Sequence, residues 1–193
     1  MTELPELSSE GAYRNLILDE RRLSRAELEG ATFDACSFVS ADLRYARLNG
    51  AIFRDCNLTA TRLAGANLFG ATFERCKLMG VDFHDGLTLT ATSFTGCNVD
   101  YAVFRGVVLD KMMFRQCTFV EADFSLASLR QATFEECDLS RVDLTGTTFF
   151  HTDLRGSMLS GWNVKRDALE GIVVTPGQMR DLAEEIGILV LDI

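Results

Sequence analysis

The cysteines are the residues of this chain best equipped for chemistry, since a thiolate can ligate a metal, attack an electrophile or close a disulfide. There are 6 of them among 193 residues: Cys36, Cys56, Cys76, Cys97, Cys117 and Cys137. No two lie closer than 20 residues, so the CxxC-type spacing of a zinc site is absent. The 2 histidines, His84 and His151, stand far apart and are not accompanied by a phosphate-binding loop or a metal motif. Convergent polar groups of the kind an enzyme needs are missing, and the expectation is a protein without catalysis, cofactor or metal. With 28 acidic against 19 basic residues, a net charge of −9, direct nucleic-acid binding is not expected either, because neutralising phosphates takes Lys and Arg in excess. What the cysteines do reveal is their spacing of 20, 20, 21, 20 and 20 residues, a regularity that belongs to architecture.

The apolar residues show what element produces it. Leu or Phe occupies every fifth position from Leu18 through Leu23, Leu28, Phe33 and Phe38 to Phe83; after a slip of one residue the series resumes at Leu89, Phe94, Val99 and Phe104 and runs to Leu169 and Val174. Two residues before each of these centres stands a smaller one, such as Ala31, Cys36, Ala41, Ala46 or Cys56, and residues two apart share one side of an extended chain. A helix would scatter a period of five around its whole surface. Because five is odd, a straight strand would alternate faces from one repeat to the next, so each repeat must contain a bend. Most of the 15 glycines, Gly30, Gly50, Gly65, Gly80 and Gly106 among them, lie two residues after a centre, where a positive φ costs them little.

All six cysteines hold the small inward position once every four repeats, and Phe33, Phe53, Phe73, Phe94, Phe114 and Phe134 form a second series with the same spacing. Four five-residue sides therefore close one coil, and like residues stack from coil to coil. The single spacing of 21 straddles the slip between Phe83 and Leu89. The expected fold is all-β, a solenoid of about eight coils and roughly 38 Å in length at about 4.8 Å per coil. Within it the thiols are core fillers kept reduced and unreactive by burial, and the phenylalanines pack inside.

Units such as ADLRY (41–45), ANLFG (66–70), ADFSL (122–126) and TDLRG (152–156) resemble the A-[D/N]-L-x-x pattern of pentapeptide-repeat proteins. The resemblance covers residues 16–174 and implies that family's right-handed quadrilateral β-helix. Residues 1–15 precede it as a segment that either caps the first coil or stays disordered. After it, Thr175 can cap a helix begun by Pro176, with Met179, Leu182, Ala183 and Ile186 as its apolar stripe and Gly187 as its end. A short strand, 188–191, is expected next, making residues 175–193 a cap over the open coil edge or an offer of that edge to a second copy. Trp162 and Ile172, oversized for the small inward position, suggest that the last coils widen beneath this cap, where Asp167 breaks the pattern.

A solenoid followed by such a helix and strand is similar to the fluoroquinolone-resistance group of that family, the Qnr and MfpA proteins. That likeness implies a homodimer joined at its C-terminal ends. It also implies binding to bacterial DNA gyrase or topoisomerase IV through a negative, DNA-like rod, with relief of quinolone inhibition. The large loops of the better-known Qnr proteins have no counterpart here beyond the slip around His84 to Thr88. Duplex DNA carries about one charge per 1.7 Å, so a rod of roughly 38 Å would need about 22 negative charges to match it; against a net −9, mimicry depends on where the carboxylates cluster. On the side that follows the cysteine column, the residue before each centre is Asp42, Arg62, Asp82, Val103, Asp123, Asp143 and Asn163, and Glu121, Asp138 and Asp153 thicken the acidity towards the C-terminal half. The candidate topoisomerase-facing surface is thus Asp42, Asp82, Asp123, Asp143, Glu121, Asp138 and Asp153, and the candidate dimer contacts are Met179, Leu182, Ile186, Ile188 and Val190. The bland alternative for each Asp is a solvated residue near a turn, and for the whole molecule a structural rod that docks some other protein. The side centred on the phenylalanines mixes Arg54, Arg75, Arg115 and Arg155 with Asp34, Asp55, Glu74 and Glu135. With neither an apolar span nor a secretory h-region in view, a cytoplasmic protein without membrane contact is expected.

Overall fold

A computed structural model describes residues 5–84, 86–162, 169–185, 187, 188 and 190. The chain winds as a right-handed, four-sided parallel β-helix. One side carries regular strands: β1 (Ala12–Arg14), β2 (Thr32–Asp34), β3 (Ile52–Arg54), β4 (Thr72–Glu74), β5 (Ser93–Thr95), β6 (Met113–Arg115), β7 (Thr133–Glu135), β8 (Thr152–Asp153) and β9 (Ile172–Val173). They form one parallel sheet in sequence order. The register sets Phe33 opposite Phe53, Phe53 opposite Phe73 and, across the slip, Phe73 opposite Phe94. The other three sides are single-residue bridges, for example Ser37 with Asn57, Asp42 with Arg62 and Arg47 with Asn67. The sheet starts at Ala12, before the boundary at residue 16 that the repeat pattern suggests, because Tyr13 takes the centre position and stacks on Phe33 at 5.2 Å.

The odd period is reconciled with an all-inward core at the corners. Every corner described has a positive φ, and although glycines such as Gly30, Gly50 and Gly80 occupy many of them, so do Glu20, Ala60, Tyr101, Leu126 and Arg141. Glycine therefore marks the bend without being required for it. Most corners close as a turn, the amide two residues before a centre donating to the preceding centre's carbonyl, as Ala46 does to Leu43 at 3.0 Å. At the corner after the phenylalanine column the cysteine amide does not, and Cys36 N faces Cys56 Sγ at 3.4 Å while Cys137 N donates to Ser157 Oγ at 2.9 Å.

One repeat shows the complete backbone accounting. Asp42 N donates to Arg21 O (2.8 Å), Leu43 N to Arg62 O (2.9 Å) and Tyr45 N to Ala64 O (2.9 Å). The remaining amide, of Arg44, lies outside the ladder and donates to the Asp42 carboxylate at 3.2 Å. Asn57, Asn67 and Asn98 accept the corresponding amides of Thr59, Phe69 and Asp100. An acceptor side chain just before the centre is thus what the backbone itself calls for.

Inside, phenylalanines stack in two columns. Phe53, Phe73 and Phe94 lie 5.0 Å apart in near-parallel pairs, and Phe83, Phe104 and Phe124 follow at 4.6 and 4.9 Å. The small inward residues buttress them and, when polar, donate to the coil before: Cys56 Sγ to Phe33 O (3.4 Å), Thr61 Oγ1 to Phe38 O (2.8 Å) and Ser157 Oγ to Phe134 O (3.0 Å).

The slip reroutes the ladder. The coil of residues 70–90 pairs forward on the third side, Asp82 with Val103, and backward on the fourth, Asn67 with Thr88. Among the described residues, no bridge joins Arg62 to Asp82 or Thr88 to Val108. Two openings result on adjacent sides, a cleft of about 230 Å³ beside Arg62, Leu63 and Asp82 and a groove of about 730 Å³ between 87–91 and 107–111.

The C-terminal end is closed by α1 (Pro176–Glu185). Thr175 caps it, receiving Gln178 N on Oγ1 at 3.2 Å while Gln178 Oε1 receives Thr175 N at 2.9 Å, a reciprocal capping box. Gln178 Nε2 also donates to the carbonyls of Leu154 and Ser157, both at 2.7 Å, and Glu185 accepts the amides of Gly161 and Trp162. The helix thereby satisfies donors and acceptors of the last coil. Trp162, buried beneath it, donates from Nε1 to Leu139 O at 2.7 Å, the same bond that Thr or Cys makes at its position. Ile188 and Val190 belong to no strand, Leu189 and Leu191 lie outside the described residues, and so does Asp167.

At Gly80 an added Cβ would meet nothing within 4 Å, and the φ of +65° alone opposes it. Gly80→Ala is expected to lower stability by about 1 kcal/mol, the cost of the left-handed conformation for an L-residue, with the fold intact because Ala60 already holds the corner one coil earlier; urea unfolding of both proteins measures it.

Candidate functional site

The exterior, not an enclosed cavity, carries the polar side chains, and their stacking decides which charges remain uncompensated. Along the strand side the residue after each centre lies one coil from its counterpart, and opposite charges alternate there. Arg14 pairs with Asp34 (3.1 Å), Arg54 with Glu74 (3.0 Å) and Arg115 with Glu135 (2.8 Å); at the neighbouring corner Arg75 pairs with Asp55 (2.7 Å). This side neutralises itself.

The seven acidic residues singled out from sequence divide into two groups. Asp42 is held by Arg44 through two bonds of 2.8 Å and touches Arg62 at 3.4 Å; the Arg44 guanidinium keeps its carboxyl down at about 2. Asp153 is clasped by Arg155 at 2.6 Å, which lowers its pKa, and Glu121 by Arg141 at 3.1 Å. These three have their charge compensated within the chain. Asp82, Asp123, Asp143 and Asp138 each accept the amide two residues on, from His84, Ser125, Thr145 and Ser140 at 2.8 to 2.9 Å, and have no ion pair among the described residues. Thr145 holds the Asp143 carboxyl below its ordinary range.

Of these seven, the four without an ion pair lie on the second and third sides, Asp82 just before the slip and the others beyond it, and Arg105 contributes to the lowering at Asp143. Asp143 follows Asp123 directly on the third side, Asp82 neighbours Val103, and Asp138 sits on the second side. Asp100, not singled out from sequence, joins them: its carboxylate accepts Val120 N from the next coil at 2.9 Å. The signal for it was weak because it stands after a centre, where this chain mostly carries other residues. The N-terminal half of the third side is different, since Arg22, Arg44 and Arg62 flank Asp42 there. Asn163 lies outside the described residues.

At the C-terminal end the candidate dimer contacts also divide. Leu182 is 2% exposed and packs into its own core, so it holds α1 down and does not face outward; the apolar stripe of an end cap must point at the coil that it covers. Met179, Ile188 and Val190 are exposed, and Ile186 lies outside the described residues. His84 and His151 are both exposed on the exterior. The cysteines are all free and buried. Cys97 is pushed up to about 12 by its hydrogen bond with Cys117 and by burial, which suppresses the thiolate.

The profile of the pentapeptide repeat region family matches residues 10–83 and 71–144, which are the coils just described. The chain belongs to the pentapeptide-repeat family. Its fold is close to that of full-length QnrB1, a plasmid-mediated fluoroquinolone resistance protein, at a TM-score of 0.76 and 21% identity over 92% of this chain and 100% of that one. A trypsin-treated form of QnrB1 matches at a TM-score of 0.63 and 26% identity over 97% of this chain and 92% of the other. HetL, a pentapeptide repeat protein involved in heterocyst differentiation regulation in the cyanobacterium Nostoc sp. strain PCC 7120, matches at 0.54 and 28% identity over 79% of this chain and 72% of that one. No curated protein matches the sequence. No helix among the described residues is long and apolar enough to cross a membrane.

Two outcomes follow from this geometry. Because Arg44 depresses the Asp42 pKa from 3.8 to about 2, the ion pair contributes fully above about pH 4, and that contribution is lost as pH falls towards 2. Asp42→Asn, which keeps an acceptor for Arg44 N, should flatten that part of the acid-unfolding curve followed by circular dichroism. Titration with a thiol reagent should find the cysteines unreactive in buffer and all 6 free in denaturant.

Proposed function

We propose that this protein is a non-enzymatic binder of a bacterial type II topoisomerase, DNA gyrase above all, and that it protects that enzyme from fluoroquinolones. The observation that carries the reading is the acidity without ion pairs on the second and third sides, at the slip and beyond it. Asp82, Asp123, Asp138 and Asp143 project from a rigid ladder while most arginines elsewhere are consumed in pairs. Carboxylates rising at about 4.8 Å per coil offer a basic DNA-binding channel a row of fixed negative charge. The fold shared with QnrB1 supports the same reading. The charge density stays well under that of a duplex, so the acidic half of the rod is the part that enters, with the compensated N-terminal half remaining outside.

In this reading the working form is a homodimer joined at its C-terminal ends, with Met179, Ile188 and Val190 as the exposed apolar residues there. A docking role for another protein is the second reading. The self-neutralised strand side favours it, since such a surface suits a partner of mixed charge, and the likeness to HetL points the same way.

Supercoiling by gyrase, with and without ciprofloxacin, separates the two. The purified chain should slow supercoiling alone and restore it under the drug, and Asp82→Asn, Asp123→Asn and Asp143→Asn combined should weaken both effects by about tenfold or more, three lost charge contacts at about 0.5 to 1 kcal/mol each. Asn keeps the bond to the outward amide, as Asn57 does, so the fold should stand. No effect of the unmodified protein on gyrase would leave the docking reading.

A further inference from the structure

The groove at the slip has the chemistry of a missing rung. On the fourth side a complete rung reads Ser128 N to Val107 O (3.0 Å), Leu129 N to Thr148 O (2.9 Å) and Gln131 N to Phe150 O (2.7 Å). Where the coil of 70–90 turns back to pair with the preceding one, the equivalent groups face open space. The amides of Leu89, Ala91 and Val108 and the carbonyls of Leu87, Val108 and Asp110 have no hydrogen-bond partner among the described residues. The chain here leans towards the preceding coil, for a Cβ built on Gly86 would lie 3.8 Å from Gly65 Cα. What is left between 87–91 and 107–111 is a groove of about 730 Å³.

Its floor is the core itself. Between residues 51 and 144 every inward-facing residue described is buried except Leu87 and Val107, which stand half-exposed on opposite walls. Val108 and Met113 add apolar surface at the rim, 68% and 45% exposed. Each wall thus offers donors and acceptors at the spacing of a parallel ladder, above an unsealed apolar slot.

We propose that this groove binds one extended polypeptide strand of a partner, inserted parallel to the coils. The walls define its side chains. Leu87 and Val107 flank a slot for a small residue, Thr88 and Val108 lie where the next residue points outward, and the residue after that meets the edge of the core at Leu89, with Leu109 sealed beneath it. The occupant therefore reads small, any, apolar. Its middle amide donates to Leu87 O and its middle carbonyl accepts from Leu89 N. The following amide donates to Val108 O, and the small residue's carbonyl accepts Val108 N. Backbone bonding on both edges supplies affinity, and the slot between Leu87 and Val107 supplies selection. The site holds whether or not the partner is a topoisomerase.

The probe is the synthetic peptide Ser-Leu-Ala-Ser-Leu-Arg-Gln, which copies residues 125–131, a natural rung of this side. With the full chain, hydrogen exchange of the Leu89, Ala91 and Val108 amides should be fast alone and slow by about tenfold or more under saturating peptide. N-methylation of the peptide's second serine, or Leu87→Trp in the protein, should weaken binding of the labelled peptide by about tenfold or more; the methylated peptide tests the point even if the tryptophan variant does not fold. Three results would overturn the proposal: protection of these amides in the isolated chain, no change on adding peptide, or protection that appears with protein concentration alone, which would mean that a second copy fills the groove.

Discussion

A chain whose apolar residues recur at every fifth position can bury them all only if one residue in five reverses the pleat. That residue must adopt a positive φ, which costs most side chains about 1 to 2 kcal/mol. The molecule meets the demand at every described corner, with glycine at some and Glu20, Tyr101 or Leu126 at others. Away from the slip the strain persists because a corner is fixed on both sides by ladder bonds and by a centre buried against its equivalents above and below. Everything else follows from the corner: the square section, the stacking of like on like, and an interior filled by inward-facing side chains.

Stacking like on like has opposite meanings inside and outside. Inside, it brings phenylalanine rings to about 5 Å and lets Cys, Thr, Ser and even Trp162 serve one bond to the coil before. Outside, it would bring like charges within a few ångströms, and the strand side avoids this by alternating Arg with Asp or Glu. The third side beyond the slip does not alternate, and Asp123 stands directly before Asp143. The exterior is therefore free to vary only within electrostatic limits, and a row of uncompensated carboxylates is an exception to the pattern of its neighbours.

Much of the architecture was legible because it repeats. The columns of Cys36 to Cys137 and Phe33 to Phe134, the slip and the capped helix after Thr175 can all be read from spacing and residue type, since each depends on local chemistry or on identity at a fixed interval. What depends on pairing across coils was harder to read. That Asp42 and Asp153 are compensated by Arg44 and Arg155 requires knowing that residues two apart, on either side of a centre, both project outward. Leu182 shows the limit of an amphipathic stripe, which identifies an apolar face but not whether that face meets its own chain or another. The two openings at the slip were the least visible, because one extra residue announces a break in register without saying which neighbour each side will keep.

The rerouted coil also divides the molecule along its axis. Nearly every contact in such a rod links residues about twenty apart, so order spreads from one winding to the next like a zipper, each step stabilised only by its immediate predecessor. At the extra residue the zipper loses a tooth on two of its four edges. Windings before and after it can consequently close as separate stretches, and a pull along the axis would find its weakest seam there, far from the sealed C-terminal end.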